Sequence, residues 1–343
     1  MTDAPRSEQE LADRLSEPLQ ATSDALARTP GDIVILGAGG KMGPSLARMA
    51  TRAAARADGT RPRRVTAVSR FADEVARRML EDAGIATVSC DLLDRAAVAA
   101  LPDAPNVIFM AGQKFGTTNA PSRTWMMNVV VPAICAERYA SSRIVAFSTG
   151  NVYPLVVVNG GGARETDATA PVGEYAQSCV GRERVFEHYS RSGTCVAIVR
   201  LNYAVALRYG VLTDIASKVW RGEPVSLTMG HVNVIWQGDA NRAALALLPH
   251  ASSPPCVVNV TGPAALSVRV LAAEFGRRFG RAPIFEGSEA PDALLTNTSR
   301  MQSLLGAPAM TIDTMIDWTA AWVRSSMPVL GAETHFSARD GRF

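Results

Sequence analysis

"DIVILGAGGKMGPSLARMATRAAAR", residues 32–56, decides how this chain is read. "DIVILG" is a short, wholly apolar strand that ends in glycine, and "KMGPSLARMATRAAAR" has the composition and periodicity of a helix. Between them Gly37, Gly40 and Gly43 fall in the pattern G-x-x-G-x-x-G, with Gly39, Lys41 and Met42 in the same turn. Each patterned glycine has its own task. Gly37 permits the tight turn, Gly40 lets backbone approach a ligand, and Gly43 lets helix and strand lie close. The helix N-terminus offers unpaired N–H groups and the positive end of a dipole, a suitable seat for a pyrophosphate. Glycines in such a turn can also be purely structural, so the surrounding pattern decides.

That pattern continues. "RRVTAVS" reads as a second strand and "DEVARRMLEDAG" as a second helix. "ATVSCDLLD" contains a third strand and "RAAVAALP" a short helix. "NVIFMAG" is a fourth strand, followed by a long helix near residues 121–140, and "RIVAFST" is a fifth. After a loop, "GEYAQSCVGRERVFEHYS" (173–190) reads as a helix and "TCVAIVRL" as a sixth strand. Strict alternation implies parallel strands joined by right-handed helical crossovers. Strands apolar throughout imply helices on both faces of the sheet. The expected fold is α/β: a doubly wound parallel sheet of Rossmann type with a smaller C-terminal α/β substrate lobe. Residues 1–30 read as a polar helical extension with an apolar stripe of Leu11, Leu15 and Leu19, packed on the surface or frayed. Residues 31–202 form the dinucleotide-binding domain, 203–327 the substrate lobe, and 328–343 a poorly packed tail.

Composition narrows the function class. The 343 residues are 47% hydrophobic and 20% charged with net charge +3, an ordinary globular balance. The basic residues are scattered, so no nucleic-acid partner is expected. No segment approaches the roughly 18 apolar residues of a membrane span, and no secretion signal is recognisable, so no membrane partner and a cytoplasmic location are expected. Five scattered cysteines, Cys90, Cys135, Cys179, Cys195 and Cys256, read as reduced thiols. The histidines His188, His231, His250 and His335 have no ligand spacing, so no metal is expected.

The end of the second strand selects the cofactor. An acidic residue there would bind the ribose of NAD. "AVSRF" instead supplies Ser69 and Arg70, a donor and a guanidinium suited to a 2′-phosphate, which points to NADP with NAD as the alternative. Arg70 could equally be solvated, or stack on the adenine of NAD. An Arg/Ala/Gly-rich loop near residues 52–64 lengthens the spacing from the glycines.

These residues resemble the extended short-chain dehydrogenase/reductase superfamily, the NAD(P)-dependent sugar-nucleotide epimerases and dehydratases, over roughly residues 31–325. "CDLLD" is similar to the family's D-x-x-D, so the resemblance implies adenine contacts from Asp91 and Leu92. "FMAG" places Ala111 and Gly112 along the cofactor. "FSTGNVYP" is similar to S-S-x-x-V-Y-G, which implies a catalytic role for Thr149 and places Asn151 at the substrate. "PVGEYAQSC" is similar to P-x-x-x-Y-x-x-x-K, which implies that Tyr175 is the catalytic tyrosine. Asn202 and Tyr203 are expected to line the substrate cleft. The family implies a sugar or sugar-nucleotide substrate, and a homodimer through the helices near 121–140 and 175–190.

Where the pattern has lysine, this chain has Cys179, one turn after Tyr175 on the same helix face and so beside the nicotinamide ribose. The lysine normally brings the phenol's pKa, near 10, toward working pH. A thiol does not. Lysine occurs only at Lys41, Lys114 and Lys218. Lys114, directly after "MAG", is the candidate substitute at the catalytic and substrate site, although it could be a loop charge; Lys41 and Lys218 look poorly placed for that role. Alternatively Tyr175 works as a neutral acid, or catalysis is lost and the protein is a cofactor-binding sensor or scaffold.

Overall fold

The computed structural model describes residues 3–57, 63–72, 74–331 and 334–342. Seven parallel strands form the central sheet in the order Ala86–Ser89, Val65–Ser69, Ile33–Leu36, Asn106–Phe109, Arg143–Thr149, Cys195–Leu201, Cys256–Val260. The expected doubly wound sheet is present. Its order reverses between Ile33–Leu36 and Asn106–Phe109, and the crevice at the carboxyl ends of these two strands is where such folds bind ligands.

The side-chain period of two explains the two-sided core. In the first strand Ile33 and Ile35 enter one apolar cluster with Leu46, Met49 and Ala53 of the helix Gly43–Ala57. Val34 and Leu36 enter the opposite cluster with Val131, Ile134 and Phe186, from the helices Val131–Arg138 and Gly173–Arg191. An ideal Cβ on Gly43 would lie 2.1 Å from the carbonyl oxygen of Ala38, so only glycine lets this helix start so close to its strand.

The lobe boundary expected at residue 202 is not a clean one. "VVNV", expected in the outer lobe, lies within the seventh strand of the sheet, and the helix Gln237–Ala246 packs beneath it. The lobe proper surrounds Val211, Ile215, Val219, Phe275, Trp318 and Trp322. The N-terminal extension is two helices, Glu8–Leu15 and Gln20–Ala27. Leu11 and Leu15 enter the lobe core, and Asp13 pairs with Arg48 and Arg52 of the first crossover helix. Leu19 departs from the expected stripe: it falls between the helices and is 43% exposed. The expected loop near 52–64 is helical through Ala57, and residues 58–62 lie outside the described residues.

Two further expectations need correction. The long helix near 121–140 contains a π-helical turn, Met126–Val130, between Pro121–Trp125 and Val131–Arg138. Pro132 has no N–H to give the carbonyl of Asn128, so the α-helical ladder cannot run through this point. The tail is not poorly packed: Thr334 and Phe336 are buried, the latter in the lobe core. Burying a phenylalanine contributes about 1.5–3 kcal/mol, which can hold an otherwise patternless segment in place. No helix among the described residues is long and apolar enough to cross a membrane.

Candidate active site

Two connected cavities follow the carboxyl edge of the sheet. The first, about 590 Å³, is lined by Gly37, Gly39, Gly40, Ser69, Arg70, Asp91, Leu92, Ala111 and Gly112. Every residue that the sequence assigned to the pyrophosphate turn, strand end and adenine wall reaches it except Lys41, Met42 and Gly43. Gly43 is buried at the helix start. Lys41 and Met42 turn into the second cavity.

The residues that line the first cavity suit the adenosine and diphosphate half of a dinucleotide. A Cβ on Gly37 (φ +91°) would meet the backbone nitrogen of Ala111 at 2.6 Å, so turn and opposite wall touch. A Cβ on Gly40 would meet only the Gly37 carbonyl oxygen, at 3.5 Å, so the turn faces open space there. Arg70 is exposed at the rim and Ser69 stands against Gly39.

The second cavity, about 480 Å³, is lined among others by Lys41, Lys114, Thr149, Asn151, Tyr175 and Tyr203. Its floor is built by two elements. Thr149 ends the fifth strand and caps a short 3-10 turn: its hydroxyl accepts from the Asn151 N–H at 3.2 Å and donates to Asn151 Oδ1 at 3.1 Å. Tyr175 lies in the first turn of the helix Gly173–Arg191, facing the same cavity as Thr149 and one turn before Cys179. Beneath them Ser148 donates to Glu183 at 2.6 Å, and Arg200 pairs with Glu183 at 2.7 Å and bonds the Tyr153 hydroxyl at 2.6 Å. This buried network fixes the strand end against the helix.

The electrostatics differ from a tyrosine–lysine site. Burial, and then the neighbouring Cys179, push the Tyr175 hydroxyl well above its ordinary value, so the phenol is neutral. Burial likewise raises the Cys179 thiol. The cation opposing both shifts is Arg182, which acts on Cys179 more strongly than Lys114 does. Arg182 is buried; it donates to the Phe147 carbonyl at 3.0 Å and to Asn128 Oδ1, in the π turn, at 2.6 Å. Its Nε has no hydrogen-bond partner among the described residues, and a Cβ on Gly112 would lie 2.3 Å from Nη2. Sequence reasoning missed Arg182. The signal was present, because positions three after Cys179 and seven after Tyr175 share one helix face.

Lys41 and Lys114 both line the second cavity. Lys41 donates to the Ala204 carbonyl at 3.1 Å and lies 4.2 Å from the Tyr209 ring centre, so it faces the cleft rather than the phosphate turn alone. Desolvation, then the charge of Lys114, lowers Lys41 to about 7. Desolvation lowers Lys114 to about 8, against the opposing influence of Cys179 and Asp214. Lys41 is exposed and Lys114 half-buried in the open cleft, so an anionic ligand beside them opposes the depression.

Asn202 lines the second cavity as expected, but its amide is already engaged. It is 2% exposed, and its amide donates to Asn233 Oδ1 at 2.9 Å and to the Leu294 carbonyl at 3.2 Å. Tyr203 gives its hydroxyl to the Phe336 carbonyl at 3.4 Å. Lys218 is on the outer helix Val211–Arg221 and lines neither cavity. Among the described residues no group of three His, Cys, Asp or Glu could hold a metal.

No family model matches the chain, and no curated protein matches its sequence. Solved structures do resemble it. UDP-glucose 4-epimerase from Thermotoga maritima with UDP-glucose aligns at TM-score 0.70 and 17% identity, over 86% of this chain and 99% of that one. UDP-glucose 4-epimerase from Thermus thermophilus in complex with NAD aligns at TM-score 0.70 and 19% identity, over 86% and 100%. UDP-glucuronic acid 4-epimerase from Bacillus cereus with UDP-glucuronic acid and NAD aligns at TM-score 0.70 and 15% identity, over 86% and 99%. The chain therefore has the fold of the extended short-chain dehydrogenases/reductases. At these identities the likeness is one of fold.

Proposed function

We propose that this protein is an NAD(P)-dependent oxidoreductase or epimerase of the extended short-chain type, acting on a sugar or related polyhydroxylated carbonyl compound. The observation that carries this reading is that Thr149 and Tyr175 stand together in the cleft that continues the glycine-turn cavity. Gly37, Gly40 and Gly112 would cradle the dinucleotide, with Ser69 and Arg70 favouring NADP at the adenosine end, although the structural neighbours hold NAD. Bound there, the nicotinamide supplies or accepts the hydride. The chain's own part is to hold the substrate oxygen between Thr149 and Tyr175. In the reducing direction the Tyr175 hydroxyl gives its proton to that oxygen as the carbon gains the hydride, and regains one from solvent through the cleft. A neutral phenol suits this proton-donating direction.

A homodimer through the helices Pro121–Arg138 and Gly173–Arg191 belongs to the same reading; Trp125 and Met126 are exposed on the first of them. The second reading, a cofactor-binding sensor or scaffold, is favoured by the absence of a lysine at position 179 and by the raised Tyr175. Tyr175→Phe separates the two. For an enzyme, dinucleotide affinity persists and substrate-dependent NAD(P)H oxidation falls by about 10²–10⁴-fold. Dinucleotide binding with no turnover in either protein across a panel of sugars and keto-sugars supports the sensor.

A further inference from the structure

The segment 334–342 lies across the smaller lobe where the second cavity would otherwise continue. Thr334 N–H donates to Asp214 at 2.9 Å, and Phe336 is 7% exposed in the lobe core. The Thr228 hydroxyl donates to the Ser337 carbonyl at 3.2 Å. Arg339 donates to the carbonyls of Thr228 at 3.2 Å and Asp292 at 3.0 Å, and pairs with the Asp292 carboxylate. At its far end Gly341 meets the start of the Tyr175 helix, where a Cβ on Gly173 (φ +81°) would lie 2.3 Å from the Gly341 carbonyl oxygen.

Between this segment and Tyr153, Leu155, Met229 and Leu294 about 40 Å³ remains, little more than one water's share of about 30 Å³. The catalytic cavity runs past Lys114, Asn151 and Tyr203 into that residual space. A cavity of about 150 Å³ holds one six-membered ring, so the 480 Å³ around Tyr175 holds about three. Nicotinamide and its ribose account for two. About one ring's worth is left for substrate within the cleft, and toward the lobe only about 40 Å³ remains, far too little for the base, ribose and diphosphate of a sugar nucleotide. Two lysines, Lys41 and Lys114, line the wall of this space, and Asp214 acts on both from outside it.

We propose that the substrate is a nucleotide-free polyhydroxylated compound of about one ring in size, held by a carboxylate facing Lys41 and Lys114, and that segment 334–342 is the specificity element that excludes a nucleotide. This rests on the reading of the cleft as a dinucleotide-dependent redox site and narrows its substrate class.

The test uses the full-length protein saturated with NADH or NADPH, titrated with D-glucuronate, D-gluconate, D-glucose and UDP-glucuronate and followed by calorimetry and thermal stabilisation. The expected result is saturable binding of a carboxylate sugar, at least about tenfold tighter than D-glucose and UDP-glucuronate. UDP-glucuronate binding as tightly as D-glucuronate, or no saturation by either carboxylate sugar, overturns the proposal; parity of D-glucose with the carboxylate sugars overturns its anionic part. Arg339→Ala, which leaves Phe336 anchored, and a chain ending at residue 327 should each gain about tenfold in UDP-glucuronate affinity with dinucleotide affinity unchanged. No gain in the folded Arg339→Ala variant overturns the role of the segment. Failure of the wild-type chain to bind either dinucleotide overturns the underlying reading as well, whereas dinucleotide binding without discrimination among the sugars overturns only this assignment.

Discussion

Cys179 stands one helical turn after Tyr175 on the same helix. Burial, and then this neighbouring thiol, hold the phenol above its ordinary pKa, where an ammonium in that place would lower it. The site is built round the thiol. Cys179 is completely buried with Val152, Tyr153 and Ala163, and the charge in its neighbourhood comes from Arg182, a further turn along the helix.

Restoring the family's lysine is therefore expected to damage the protein. Cys179→Lys places a long ammonium in a filled space beside a guanidinium, and overpacking alone should destabilise the fold by about 1–3 kcal/mol. Chemical denaturation measures this directly. A stable lysine variant whose turnover gains a new pH optimum would mean that the site had kept room for the missing charge.

Arg182→Met removes a donor from the Phe147 carbonyl and one of the two donors of Asn128 Oδ1, which keeps the Gln113 N–H at 2.8 Å. The expected cost is about 1–3 kcal/mol for a buried group left unpaired. Turnover should fall more than dinucleotide affinity. Arg182→Lys keeps the charge but cannot bridge both partners, and should recover turnover more fully than stability, which chemical denaturation measures.

The pH dependence of ligand binding follows from the two cleft lysines. A lowered lysine pKa means that the charge is present at low pH and lost as pH rises, here through about 7 for Lys41 and about 8 for Lys114. The other titratable or charged groups facing them are Asp214, Cys179, Tyr203 and Tyr209, and beneath the floor Arg182. Affinity for a carboxylate-bearing ligand should decline between about pH 6 and pH 9, while Tyr175 stays neutral throughout. Calorimetric titration across that range checks it; a rise in affinity with pH would contradict the assignment of the lysines.

Gly43→Ala drives a methyl group into the Ala38 carbonyl oxygen. The first crossover helix must move away from its strand, at a cost of about 1–3 kcal/mol. Because the proposed pyrophosphate seat is that same helix start, NAD(P)H affinity measured by fluorescence should drop by at least about tenfold.

Arg70 lines the adenosine end of the first cavity and is exposed at its rim. Arg70→Ala should weaken NADPH by about tenfold and leave NADH nearly unchanged. The opposite pattern would identify Arg70 as an adenine-stacking residue and the cofactor as NAD.

What the sequence by itself determined is everything carried by short range. Alternating apolar runs and helical periodicity specify six of the seven sheet strands as a parallel, two-sided sheet, because each pattern records burial along a few consecutive residues. The G-x-x-G-x-x-G turn, Thr149 and Tyr175 were legible for the same reason; Arg182, one helical turn beyond the expected lysine, went unread although its helix spacing was in the chain. Only the tertiary structure placed Cys256–Val260 beside Cys195–Leu201, turned Lys41 toward the Tyr209 ring, and withdrew Asn202 into contacts with Asn233 and Leu294. It also laid residues 334–342 across the cleft, through partners such as Asp214 and Thr334 that stand 120 positions apart. Contacts at that separation leave no periodic trace in the chain. They depend on which surfaces remain uncovered once the sheet has formed, and a single buried phenylalanine is enough to choose among them.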